Sequence, residues 1–527
     1  MMRSVILSIS ILLAATALSH AGLLRDGPEF LVNSYTTGGQ EDPDIAASGF
    51  GGFVVVWHGD NPDESSSGIS GQRYDSAGLS IGGEFQVNSY TTDSQYEAAV
   101  AMHRSGGFVV AWTSYGQDGS NAGVFARRFD ETGAPVGVDF QVNGYTTGTQ
   151  YDPDVAIADS GDFVIVWSSR DQYGTDNSVM GRRFDRGGLP VGGEFQIDTQ
   201  TSSGQYFPQV AMRPSGHFVV VWESNPFDGD GYGIAVRMFS SNGTPDGPEF
   251  QANTYTTGDQ GEPAIAMQGD GTFLVVWDGD DQDGSEDGVF SQLFDLNGLP
   301  IGSELQVNTY TTSQQDDPRV AADTSGEFVV TWPSYPQDAS GSAVIGQLVG
   351  ANGTRVGLEF QVNAYTTGDQ TEPSVAAGPA GSFMVVWEDE GRDGSSDGLF
   401  GQPFIAHDPG LTGPMGPLDC SDPSEPATLP LFTWDTDVYE AFKVFMGSSP
   451  GFEKGTRVTS GKYNIKTGTW KPSRKKWVSA CKKALTQSMD PNAPLMYVMI
   501  GGIDKDLSRK NPARKRLSVP AEYDVAP

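Results

Sequence analysis

The sequence predicts an all-β fold, a seven-bladed β-propeller followed by a small immunoglobulin- or fibronectin III-like β-sandwich, and three observations predict it. First, an apolar run ending in tryptophan, Gly52-Phe53-Val54-Val55-Val56-Trp57, returns at Trp112, Trp167, Trp222, Trp277, Trp332 and Trp387, each 55 positions after the last. A repeat at one fixed period marks an array of equal structural units. Second, each unit reads as four short strands, and four antiparallel strands repeated seven times make a propeller. Third, the repeat begins with a fourth-strand sequence, Glu29-Phe30-Leu31-Val32-Asn33, and its last copy stops after a third strand at residues 399–404. The first strand is therefore expected to complete the last blade, a closure that removes exposed sheet edges.

The third copy shows the elements in order. Residues 153–158 form the expected first strand, and a Ser-Gly turn leads to Phe163-Val164-Ile165-Val166-Trp167, a continuous apolar run that fits a strand buried on both faces. A third strand is expected at 179–185 and a fourth at 194–197. Asp-x-x-Gly turns join them, starting at Asp75, Asp130, Asp185 and Asp295, where Gly can supply a positive φ. The first strand carries an alanine in every copy, from Ala46 to Ala376, as small side chains suit strands that converge on an axis. The Phe and Trp of each second strand, Phe53 with Trp57 and their equivalents, are expected to fill the space between neighbouring blades.

Composition bounds the partners. Apolar residues make up 37% and charged residues 19%, with 68 Gly and 32 Pro, which suits many short strands joined by turns. Of 32 Lys+Arg, 17 fall from Ser421 onward, against 11 of 67 Asp+Glu, so the part up to Cys420 holds 15 basic and 56 acidic residues. So acidic a body argues against nucleic acid and anionic membrane surfaces and favours cations. Plain solubility is the alternative reading of the charge.

Residues 1–21 read as a signal peptide: Arg3 is followed by an apolar stretch at 5–18, and Ser19-His20-Ala21 places small residues at −3 and −1 of a cut after Ala21. The apolar stretch is too short for an ordinary membrane span. A secreted, extracellular or cell-surface location is expected, with no membrane span. In that setting Cys420 and Cys481 either pair or remain two free thiols.

The expected propeller covers residues 26–405, a Pro/Gly-rich linker 406–428, and the sandwich 429–520. The last carries apolar strand sequences at 431–434, 441–445 and 495–500 and one short helix at 475–485. Arg474, Lys475, Lys476, Lys482 and Lys483 form a basic cluster there, read either as a contact surface or as a solvated helix face.

Two loops of each repeat emerge on one face, the face on which propellers usually bind. The first reads Asn-x-Tyr-Thr-Thr-Gly-x-Gln-x-x-Pro; its Gln recurs in all copies (Gln40, Gln95, Gln150, Gln205, Gln260, Gln315, Gln370) and is read as a brace for orphan backbone groups. The second is acidic and often Asp-Gly-Ser. Clustered carboxylates and carbonyls suit calcium, which makes Asp118, Asp228, Asp280, Asp283, Glu286, Asp287 and Asp393 candidate ligands and calcium the candidate cofactor. Asp-Gly is also a standard turn pair, and the EF-hand spacing fails at Gln282.

No catalytic centre is legible. The five His (His20, His58, His103, His217, His407) share no metal-motif spacing, and no nucleophile or phosphate-loop motif accompanies them. The Ser-x-Asp-x-Gly-x-Thr-Trp box of sialidases, which are also propellers, is missing.

The unit Glu-Phe-Gln-Val-Asn-x-Tyr-Thr-Thr-Gly-x-Gln, with Gly-x-Phe-Val-Val-x-Trp and Gly-x-Phe-Gly-Gln-x-Phe-Asp after it, resembles repeats of large exported bacterial proteins. Those repeats often sit beside adhesin modules or haemolysin-type calcium-binding nonapeptides, although the Gly-Gly-x-Gly-x-Asp nonapeptide itself is absent here. Thr469-Trp470-Lys471-Pro472-Ser473 with Trp477 resembles a module at the ends of secreted bacterial proteins. The resemblance implies a secreted, non-enzymatic binding or adhesion protein that uses the acidic loop face with calcium as an aid. Its partner would be a cell-surface polymer, glycan or protein. The alternative is an exported carbohydrate-active enzyme, a glycoside hydrolase or lyase with face carboxylates; a deep cleft with unevenly placed acids would favour it.

Overall fold

The computed structural model describes residues 24–405 apart from short loop stretches, 61–66 and 201–203 the longest, and beyond 405 only separate strands between 411 and 504. The repeat folds as seven antiparallel sheets arranged as the blades of a propeller. In the first blade the strands run Gln40–Ala47, Phe53–Gly59, Gly68–Tyr74 and Ser80–Gln86 from axis to rim. Inner strands of successive blades touch, and the last, Gln370–Ala377, touches the first, Gln40–Ala47, which closes the circle. Leu24–Arg25 and Phe30–Leu31 pair antiparallel with Asp397–Ile405, so the N-terminal strand completes the blade built by the last repeat.

The outer strand expected at 194–197 is only Phe195–Gln196, tied further along by a single bridge from Phe184 to Pro190. Proline has no N–H to donate to a ladder. The Asp-x-x-Gly turns close as read: Gly78 N–H donates to the Asp75 carbonyl at 3.0 Å, with Gly78 at φ 72.

The core lies between blades. All seven repeat tryptophans are fully buried. Phe108 and Trp112 of the second blade pack on Val54 and Val56 of the first, and Phe163 and Trp167 of the third on Val109 and Ala111 of the second. Each buried aromatic contributes about 1.5–3 kcal/mol. The Phe also stacks across its own sheet, as Phe108 on Phe129 at 4.6 Å between centroids.

Two polar devices repeat around the ring and fix the loops above the core. In the first, Asn88 Oδ1 accepts from Ile69 N–H at 2.8 Å while Asn88 Nδ2 donates to Tyr90 O and to Gln95 Oε1, both at 2.8 Å. Gln95 Nε2 then donates to Thr92 O and Asp93 O at 3.1 Å. The repeated Gln is thus a loop brace, as read from the sequence. In the second, the Glu of Glu-Phe-Gln-Val-Asn clamps the loop of the neighbouring blade. Glu84 accepts from Ser34 N–H and Oγ–H at 2.8 and 2.7 Å, and Glu29 accepts from Ala364 N–H across the closure.

Beyond residue 405 the strands Leu411–Thr412, Phe432–Trp434 and Thr469–Trp470 form one sheet, and Tyr439–Gly447, Arg457–Tyr463 and Tyr497–Asp504 another. The expected signal peptide, most of the expected linker, the expected helix at 475–485 with its basic cluster, Cys420 and Cys481, and hence the expected sandwich as a whole lie outside the described residues. Among the described residues no helix is long and apolar enough to cross a membrane.

Candidate active site

The site begins two residues after the bracing Gln. There each inner strand is bulged: Glu41 pairs with His58 and Asp44 with Val56, so Asp42 and Pro43 together oppose Trp57. A bulge of this kind turns a side chain out of the ladder. The bulged residue has a left-handed φ in every blade: Asp42 (51), Glu97 (54), Asp152 (49), Phe207 (49), Glu262 (46), Asp317 (44) and Glu372 (46). A non-glycine residue held there costs about 1–3 kcal/mol, and its sevenfold recurrence makes it a built feature.

All seven side chains line one cavity of about 330 Å³. Because every inner strand contributes to it, the cavity is axial. Six of the seven are carboxylates and the seventh is Phe207. Two positions further along, Asp44, Asp154, Gln209, Arg319 and Ser374 form a second tier. Arg319 is the only cation lining the cavity, and its Nη1 lies 3.4 Å from Asp317 Oδ1.

So many acids around one cavity cannot ionise alike. Burial pushes Glu262 up, and its hydrogen bond with Asp317 adds to the rise. Burial works against the charge of Asp317 too, but the hydrogen bond from Glu262 and the Arg319 guanidinium hold it below the usual carboxylate range. One acid of the pair keeps its proton and the other stays charged. Burial and the neighbouring Glu97 charge likewise raise Asp152 well above the ordinary value. In the second tier burial pushes Asp154 up to about 7 while its oxygens accept from Val155 and Val210 N–H at 2.7 and 2.6 Å.

Carboxylates on the second strands and on the ring itself take up the N–H groups freed by the bulges. Glu388 Oε1 accepts from Asp42 N–H at 2.5 Å, and Glu97 Oε2 accepts from Asp152 N–H at 2.9 Å and from Thr113 Oγ1–H at 2.8 Å. Burial pushes Glu388 up to about 8. His58, the equivalent residue in the first blade, lies 3.3 Å from Asp42 and 3.5 Å from Glu41. It joins the axial cavity to a side cleft lined by Glu41, Asp60, Tyr96 and Tyr115.

The described calcium candidates lie in or beside the loops between second and third strands (the 2→3 loops), apart from this cavity, and three of them serve there as turn acceptors. Asp118 accepts from Ser120 N–H at 2.9 Å, Asp283 from Ser285 N–H at 3.1 Å and Asp393 from Ser395 N–H at 3.0 Å. Asp283 and Asp393 also accept from Asn308 and Asn33 of the brace, at 3.1 and 3.3 Å. Glu286 accepts from Ser313 and Asp287 from Gln314, linking to the next loop, at 3.0 and 3.4 Å. Asp280 ends the strand Phe273–Asp280, paired with Asp287, and Asp228 lies outside the described residues. Among the described residues no group of three or more His, Cys, Asp or Glu is placed to hold a metal ion.

Sequence reasoning missed the axial ring. Its signal was present as the residue two positions after the bracing Gln, an acid in six copies of seven.

A scan of protein families and a search of curated proteins each find no match. Solved structures match in fold at low identity. A protein of unknown function from Dyadobacter fermentans is 10% identical over 73% of this chain and all of its own, with a TM-score of 0.43. An α-L-arabinanase from Penicillium chrysogenum, complexed with arabinobiose, is 11% identical over 59% of this chain and 93% of its own, with a TM-score of 0.41. The NanB sialidase from Streptococcus pneumoniae is 10% identical over 72% of this chain and 70% of its own, also at 0.41.

The expectation of a non-enzymatic binding or adhesion protein is corrected here. A deep cleft with unevenly placed acids is the feature expected of the enzyme alternative, and the structure has an axial cavity with unevenly placed acids, one Arg and one Phe. The equivalent loops, which suggested binding, are engaged in holding the fold.

Proposed function

We propose that the protein is an exported carbohydrate-active enzyme, a glycoside hydrolase working through its axial carboxylates. The observation that carries this reading is the Glu262–Asp317 pair in the axial ring beside Arg319, in which one acid is kept protonated beside one kept charged. Neighbouring groups whose environments push their proton affinities apart are what acid–base chemistry at neutral pH requires.

Glu262 is assigned as the proton donor to the glycosidic oxygen. Asp317 and Arg319 position it and keep its proton in place. Hydrolysis needs a second carboxylate on the opposite face of the sugar, to take a proton from water or to attack the anomeric carbon. Glu97 suits that task. It stands three blades from Glu262 in a ring of seven, hence across the axis, and two hydrogen bonds fix its Oε2.

The test is sugar release by the full chain from a panel of plant and microbial polysaccharides, including arabinan, and from sialosides. E262Q and E97Q are each expected to lower kcat/KM about 10²–10⁴-fold, the usual worth of a placed acid or base. Wild-type inactivity across the panel, or an E262Q variant as active as wild type, would sink the reading. Export is part of the proposal, and secreted material should begin at Gly22.

A further inference from the structure

We propose that Phe207 is the stacking platform for the sugar ring in the axial cavity, and that the glycan taken there carries no acid group. This deepens the hydrolase reading and rests on it for the identity of the cavity.

Three observations converge on Phe207. It occupies the ring position that is an acid in every other blade, with the same left-handed backbone at φ 49. For a bulky aromatic that conformation is a true outlier, so the residue is held there against its own preference. Little of it is spent on packing: Phe207 is 42% exposed, belongs to none of the hydrophobic clusters and meets the neighbouring Tyr206 ring at 6.4 Å between centroids, while the Pro208 that follows is buried. Finally, it stands in ring order between Asp152 and Glu262, next to the assigned proton donor. An exposed aromatic face inside a cavity of polar groups is how ligand sites combine an apolar contact with a few orienting polar ones. The C–H face of a pyranose or furanose ring has the matching character.

The charge of the cavity selects the sugar. Six ring carboxyls and Asp44 and Asp154 below them face a single Arg319, already engaged with Asp317. A uronic or sialic acid would bring a further carboxylate among these acids with no unengaged cation to meet it. Hydroxyl groups of a neutral sugar instead donate to ionised carboxylates and accept from protonated ones.

The test reads binding rather than turnover. Full-length protein carrying E262Q, which removes the proton donor but keeps its shape, is titrated calorimetrically. The probes are neutral oligosaccharides (arabino-, xylo- and gluco-oligomers) and oligogalacturonate. Neutral oligomers should bind, with oligogalacturonate at least tenfold weaker. F207A should weaken neutral binding about 10–100-fold and F207L about as much, since bulk without a ring face does not stack; F207Y should stay within threefold. Unfolding midpoints of the F207 variants check that the cavity is intact. Neutral binding unchanged in F207A, tighter binding of oligogalacturonate, or no neutral binding at all would each overturn the inference. If neutral oligomers bind as stated but wild type and E262Q show equal turnover, the hydrolase assignment fails and the stacking assignment stands.

Discussion

Replacing Glu388 by glutamine should stabilise the propeller, and only at neutral to alkaline pH. Burial pushes the Glu388 carboxyl from 4.5 up to about 8, against the opposing pull of the Asp42 N–H that donates to it. Because the folded value is the higher one, the favourable protonated form is fully present below pH 4.5 and is lost as pH rises through 8. At about 1.4 kcal/mol per unit, ionised Glu388 would oppose folding by at most about 5 kcal/mol above that range. Glu388 is only partly buried, so solvent screening reduces the expected effect to about 1–3 kcal/mol. Glutamine keeps the oxygen that accepts from Asp42 N–H and removes the charge. Urea unfolding midpoints of E388Q and wild type should therefore coincide near pH 4.5 and separate steadily toward pH 8.5, with the variant more stable. A pH-independent difference, or a variant less stable at pH 8.5, would refute the claim that burial of this charge dominates.

Other outcomes follow from the repeated devices. N88A strands Ile69 N–H and Gln95 Oε1 in a buried network and should cost about 2–3 kcal/mol in urea unfolding. N88D keeps the acceptor that Asp198 supplies in the equivalent place and should cost less, most clearly below pH 6. W222F should cost about 1 kcal/mol more than W167F, because Trp222 Nε1–H donates to Gln205 Oε1 at 2.8 Å, whereas Trp167 Nε1 has no partner among the described residues. Calcium at the 2→3 loops is tested by unfolding in calcium and in chelator. Occupied sites at a hundredfold Kd would add about 2.7 kcal/mol each, and an unchanged midpoint would assign Asp118, Asp283 and Asp393 to their turns alone.

What the sequence made legible was whatever recurs. The Phe–Trp run is read as core because a side chain that fills the gap between equal blades must be equally large in each, and the bracing Gln is read as structural for the same reason. The closing strand is legible because the repeat begins out of phase. The axial ring escaped because the bulge that aims Asp42 and its equivalents into the cavity is a matter of pairing register, Glu41 on His58 and Asp44 on Val56, which no local pattern announces. Nor could spacing along the chain reveal that Glu262 and Asp317, a full repeat apart, share a hydrogen bond. The loop acids drew the search for a site because they are dense in sequence. They prove to face neighbouring backbone and amide donors, while the acids that face each other are single residues in separate repeats.

Sevenfold symmetry itself indicates where chemistry can sit. A glycosidic bond has two unlike ends, and a ring of identical residues would offer the same environment to both. Positions that hold the fold are near-uniform: the buried Trp and the Gln brace recur in all seven copies, and the clamp is an acid in each, with Asp139 in place of Glu in the second. Positions around the axial cavity are not. The residue after each Trp is His58, Thr113, Ser168, Glu223, Asp278, Pro333 or Glu388, and the ring two residues beyond each brace exchanges Asp, Glu and Phe. Divergence concentrated at the cavity, with only conservative exchanges such as Asp198 and Asp139 in the scaffold, is what a fold shows when one part is bound by packing and another by a ligand that lacks its symmetry. Phe207 in the fourth blade and Arg319 in the sixth break the charge pattern most strongly, and Glu262 lies in the fifth, between them. An apolar face, a proton donor and a cation thus follow one another around one side of the axis, and that sequence of unlike groups gives the cavity a direction.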